Sequence, residues 1–259
     1  PFSYTAVLFA VSGIATVLIL PKEPSSAEQP NQLFDRSQVL DQLRPPAHAP
    51  EFSRVFAART CMMAGVGLTG VFLWYLVRFW VYGKAVVLTS APLTIPAGFL
   101  IAGMAVATLI GAALASWAAG PISERIEEKN IPVARVVAGA CLLYAAGLAL
   151  AWGLGVWSTG TARENGMLLF ALISGFAFGV YDSLGLELVM DSLPDPRRAG
   201  HDLGIYALAN SAGLALAAII GALLVNAFEH SFGYYLLFPS AIVMVLLAGI
   251  VTLTTKSAE

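Results

Sequence analysis

Asp182 is the residue of this chain whose chemistry most needs a reason. It lies within the apolar run at residues 167–190, MLLFALISGFAFGVYDSLGLELVM. A carboxylate inside a stretch of hydrocarbon-spanning length costs several kcal/mol, about 2.5–3.5 on insertion scales, unless it faces water or a partner. Counted from Met190 it sits roughly 12 Å along the helix, too deep for so short a side chain to reach the surface. Such a group either takes up a proton or cation from a cavity, or is held in an ion pair or by a hydrogen bond to a neighbouring helix. Glu187 is about one turn from the end of the run and off the Asp182 face, where surface water solvates it. Arg59 lies about two turns inside another apolar run, a structural charge that can pair with a carboxylate or bond carbonyls. Asn210 and Ser211 enter a third run and can hydrogen-bond across helices. Arg78, with Trp74, Tyr75 and Trp80, reads as part of an interfacial aromatic belt.

The segments that position these residues follow from composition. Apolar residues make up 58% of the chain and charged ones 12%, half the charged fraction of a soluble domain. This is a membrane protein. Its net charge of -2 offers no basic field for nucleic acid. Cys61 and Cys141 stand far apart inside apolar runs and read as small packing residues. No spacing suits a metal, and no cofactor motif occurs. Spans are expected at 2–20, 54–81, 96–119, 133–155, 167–190, 203–226 and 232–254, each near the twenty apolar residues a bilayer core requires.

The first span lacks a preceding cationic region, so it reads as a membrane helix and not as a signal peptide. Residues 21–53 hold six prolines among Ser, Gln, Glu and Asp, the make-up of an exposed linker. Within it, 33–43 has the pattern of a short amphipathic surface helix. With alternating spans, Lys22, Arg36, Arg44, Arg125, Lys129, Arg197, Arg198 and Lys256 gather on one side, with Arg54 and Arg135 at its helix ends. Lys84 and Arg163 take the other side, with Arg78 near it. The first side is then cytoplasmic, together with the C-terminus.

An internal repeat appears at an offset of 110 residues: Ala102–Leu114 and Ala212–Leu224 are identical at eight of thirteen positions. The same offset carries span 54–81 onto 167–190. Helices three apart in order run in opposite directions, so the expected arrangement is an inverted three-plus-three repeat, as in secondary transporters.

The run Gly120-Pro-Ile-Ser-Glu-Arg-Ile-Glu-Glu-Lys129 resembles the loop motif G-x-L-a-D-r-x-G-r-k of the major facilitator superfamily, between the eighth and ninth helices. Glu124 takes the acidic position, Arg125 the basic one and Lys129 the last. Glu127 and Glu128 stand where Gly and Arg are expected, which alters the turn and its charge latch. Glu51 to Arg59 resembles the entry to the seventh helix of sugar:cation symporter-like members. Asp191–Asp195, Ala199–Gly204 and Ala209–Ser211 are similar to their connection between helices ten and eleven.

The resemblance implies an all-α membrane protein with seven transmembrane helices, the last six an inverted three-plus-three repeat of the major facilitator fold. Residues 1–20 would be the sixth helix of twelve, 21–53 the cytoplasmic linker, 54–254 the six-helix C-terminal half and 255–259 a cytoplasmic tail. An N-terminal half would precede Pro1. The implied activity is secondary transport of a small polar solute, a sugar among the candidates, coupled to a proton or cation by alternating access. The implied setting is the plasma (inner) membrane. Asp182 would couple the ion, Tyr75, Tyr181 and Asn210 would line the cavity, and Gly120, Glu124 and Arg125 would act in gating. Enzymatic function is not expected: an aspartyl protease needs two apposed carboxylates, and Asp182 has no deep acidic partner. A seven-helix receptor matches the span count, but no Lys lies inside a span to hold a retinal, and the linker and repeat fit it poorly. An inactive half-transporter is the remaining alternative.

Overall fold

A computed structural model of the chain describes residues 11, 13, 49–82, 94–157, 161–193, 199–228 and 230–255. The chain divides into two units, Pro1–Gln42 and Leu43–Glu259. Of the first, residues 11 and 13 are described, and both are helical. The expected span at 2–20 otherwise lies outside the described residues, as does the amphipathic segment at 33–43.

The second unit is helical throughout its described residues: α1 (Pro50–Gly70), α2 (Leu73–Tyr75) running into a π-helical turn (Leu76–Val81), α3 (Thr94–Lys129), α4 (Val133–Trp157), α5 (Thr161–Asp191), α6 (Ala199–Ala227) and α7 (His230–Leu253). α3 to α7 are each long and apolar enough to cross a membrane, and α1 with its continuation forms one bent candidate span.

Three of these elements differ from the reading of the sequence. α1 begins at Pro50, inside the expected linker, because proline is suited to a first helical turn and Glu51 beside it complements the helix dipole. The span expected to run unbroken over 54–81 bends by 41° after Gly70. Gly67 and Gly70 weaken the helix there, and Tyr82 N–H then bonds the Val77 carbonyl, five residues back. This wider turn carries Trp80 inward to 2% exposure, so Trp80 belongs to the core and not to an interfacial belt.

The third difference concerns the expected loop at 120–129, which is instead the last part of α3. Glu127, a good helix former, replaces the expected Gly, and the helix takes in Pro121 and runs on to Lys129. Asn130 adopts φ 50°, its N–H bonds the Glu127 carbonyl, and Ile131 N–H bonds Ile126. That is a Schellman ending, followed by Pro132.

Packing sorts the helices into two clusters. α1 packs on α6 and α7; α5 packs on α3 and α4; α4 and α7 join the clusters. Close approaches set the directions. A Cβ on Gly213 would meet Thr60, Met63 and Ala64, and one on Gly221 would meet Phe72, so α6 runs parallel to α1. Gly103 faces Leu168 and Gly179 faces Ala115, so α3 runs parallel to α5. At Gly111 and Gly175 the α3 and α5 backbones touch, an approach that any side chain would block. α7 is antiparallel to α1, with Gly65 against Ala241 and Val245 and Arg54 Nη1 donating to the Thr254 carbonyl, and α4 is antiparallel to α5, with Gly147 against Ile173 and Gly166 against Leu154.

Candidate functional site

α1 and α5 make little direct helix contact, and Arg59 bridges them. Its Nη1 donates to Asp182 Oδ1 at 2.7 Å and its Nε donates to Asn210 Oδ1 at 2.7 Å. One guanidinium thus ties α1, α5 and α6. Each anchor lies at a similar depth: Arg59 and Asp182 are about 14 Å from the start of α1 and the end of α5, and Asn210 about 16 Å from the start of α6. That is near the middle of a hydrocarbon core about 30 Å thick.

Aromatic rings complete the enclosure. The Arg59 Cζ lies 5.7 Å from the Phe178 ring centroid, 5.6 Å from Tyr181 and 5.7 Å from Tyr206, within cation–π range of all three. The helical periods explain the convergence. Tyr181 and Asp182 follow Phe178 by three and four residues on α5, and Asn210 follows Tyr206 by four on α6, spacings that share a helix face. The pair is unequal in exposure: the Arg59 side chain is 9% exposed and that of Asp182 is 55% exposed. The cation is fixed in the wall, and the anion is at the surface.

The apolar core falls into two clusters. A large cluster runs through Met62, Leu68, Leu148, Phe170, Leu237 and Phe238. A small one at the end nearer the α1 start holds Val55, Ala134, Leu188 and Val189, with Leu203 and Tyr206 against it.

The expected site residues are distributed as follows. Asp182, Arg59, Asn210 and Tyr181 come together, with Tyr181 buried beneath the guanidinium. Tyr75 lies elsewhere, on α2, with its ring centroid 6.4 Å from Phe79 and 6.3 Å from Tyr234. Gly120, Glu124 and Arg125 are exposed in the last part of α3. Phe178 and Tyr206 were not singled out from the sequence, although their spacing from Asp182 and Asn210 is a usable signal. Among the described residues no group of His, Cys, Asp and Glu has the arrangement to hold a metal.

A family model described as Major Facilitator Superfamily matches residues 110–259, more than half of the chain. No curated protein and no solved structure matches the chain.

Proposed function

The chain belongs to the major facilitator superfamily, a family of membrane transporters of small solutes, and from that premise we propose that it is the C-terminal part of a secondary active carrier. It moves a small polar solute, with a sugar among the candidates from its resemblance to sugar:cation symporters, and is driven by a proton or cation. The receptor and protease readings lose their support with the family.

In this reading, residues 54–254 form one six-helix half that works by alternating access against the other half, with the C-terminus cytoplasmic in the plasma membrane. An inverted three-plus-three repeat within it is supported by the packing. Exchanging α1 with α5, α3 with α6 and α4 with α7 turns the parallel pair α1–α6 into the parallel pair α5–α3, and the antiparallel pair α1–α7 into α5–α4. α1 and α5 themselves run in opposite directions, since Arg59 meets Asp182 while Arg163 meets Trp80. The aligned glycines Gly103 and Gly213 each face the first helix of the opposite triplet. Gly120, Glu124 and Arg125 act in gating as a rigid, helical extension of α3.

The observation that carries the coupling role is the half-exposed Asp182 carboxylate held at mid-depth by a buried arginine. A carboxylate at that depth is stable when it faces water or a partner half, the place where a coupling ion arrives. The test is uptake by the full-length carrier in proteoliposomes under an imposed proton or cation gradient. Asp182→Asn is expected to abolish the gradient-dependent part of uptake. Undiminished gradient-driven uptake in that variant removes Asp182 from the mechanism.

A further inference from the structure

We propose that the exposed aromatic patch at the end of the bundle where α5 and α7 begin, formed by Trp74, Tyr75 and Arg78, binds a small planar aromatic carboxylate. The proposal goes beyond the carrier reading and does not rest on it. None of these residues is among the groups that hold Arg59.

The argument starts from the rings. Tyr75, Phe79 and Tyr234 are parallel to within 10°, with centroids 5.3 to 6.4 Å apart, separations that suit offset stacking. An interfacial belt needs aromatic rings at headgroup depth but no common orientation; these three share one. Their exposure is graded. Tyr234, near the start of α7, is 6% exposed, whereas Tyr75 is 48% exposed, with Trp74 beside it at 37%. The stack is thus anchored in the protein at one end and open at the other. Because two neighbours already fix the Tyr75 ring, a further ring laid along it binds without the cost of ordering its platform.

Charge then narrows the occupant. Arg78 follows Tyr75 by three residues, in the π-helical turn, and its Cζ lies 5.6 Å from the Phe79 centroid. Phe79 therefore adjoins both the open ring, at 6.4 Å, and the guanidinium. Among the described residues Arg78 forms no ion pair. It stays charged at every physiological pH, and the N–H groups turned away from the ring remain for a carboxylate. A neutral aromatic gains the stacking alone, and a saturated acid gains the charge alone. An aromatic ammonium is repelled. An aryl carboxylate takes both contacts, its ring along Tyr75 and its oxygens toward Arg78.

The test uses the full-length protein in phosphatidylcholine nanodiscs, with empty discs as the blank. Four probes are titrated by saturation-transfer NMR: benzoate, benzamide, cyclohexanecarboxylate and benzylammonium. The expected result is saturable benzoate binding about tenfold tighter than that of benzamide or cyclohexanecarboxylate, the size of one stacking or charge contact, and no binding of benzylammonium. Tyr75→Phe should keep the benzoate affinity, and Tyr75→Leu should weaken it about tenfold. Arg78→Gln should bring benzoate down to the level of benzamide. Should a variant not fold, the order of the four probes on the wild type decides.

Equal affinity for benzoate and cyclohexanecarboxylate, benzoate binding undiminished in Tyr75→Leu or Arg78→Gln, or no saturable benzoate binding would overturn the inference. So would binding that is present in detergent and absent in the discs, because lipid then covers the rings.

Discussion

α1 with its continuation and α5 meet at two levels, and at each an arginine makes the tie. At the first, buried Arg59 holds the Asp182 carboxylate. At the second, Arg163 of α5 donates through Nη1 to the main-chain carbonyl of Trp80 at 3.0 Å. The Trp80 ring is locked in place, with its centroid 4.7 Å from Phe238 and 6.2 Å from Tyr235. The acceptors make the difference. One acceptor is a charged side chain, whereas the other is a neutral backbone carbonyl. The same residue type therefore bonds a carboxylate at mid-depth and a backbone carbonyl near the other end of the helices.

The largest effect should come from breaking the ion pair at its exposed partner. Asp182→Leu strands the buried Arg59 charge and is expected to destabilise by about 3–5 kcal/mol. Arg59→Leu leaves a carboxylate that can still reach water, and should cost less, about 1–3 kcal/mol. Thermal unfolding in detergent reads the difference, and equal costs for the two variants contradict the unequal burial. The double variant should be more stable than Asp182→Leu alone, because it removes the stranded charge.

At the Arg163–Trp80 contact, Gly155→Ala is the next strongest lever. A Cβ there falls on the Trp80 ring, and overpacking of this kind costs about 1–3 kcal/mol. The pH dependence of uptake should survive, and its loss would show that the two levels are not independent. Arg163→Met removes the hydrogen bond to the Trp80 carbonyl together with the other polar contact of this side chain and should cost at least about 1 kcal/mol, again with the pH profile retained. Gly139→Ala sits at the bottom of the scale. Nothing lies within 4 Å of its Cβ position, so stability should stay level or rise by at most about 1 kcal/mol through helix propensity. A substantial loss in unfolding temperature there would mean that this face of α4 is covered.

Much of this was legible beforehand, for reasons that can be named. Asp182 stood out because hydrocarbon length and charge conflict within one segment, a conflict visible without neighbours. Arg59 was visible for the same reason, but its partner was not. The residue that completes an ion pair 123 positions away depends on which helices adjoin. Trp80 was misassigned because a π-helical turn shifts every following side chain around the axis, and no local period announces it. The stretch at 120–129 was misread as a loop because the motif was weighed above the helix-forming character of the residues that replaced its glycine.

By itself the sequence determined that the chain is built of apolar helices of membrane-spanning length, roughly where the described ones run, and which polar groups are costly inside them. These are properties of single segments, set by apolar length and by the transfer cost of charge. Only the tertiary structure decided that Arg59 is buried and Asp182 exposed, and that three rings and Asn210 hold the guanidinium still. Exposure and partnership are properties of the space between helices, and that space exists only once α1, α5 and α6 have packed.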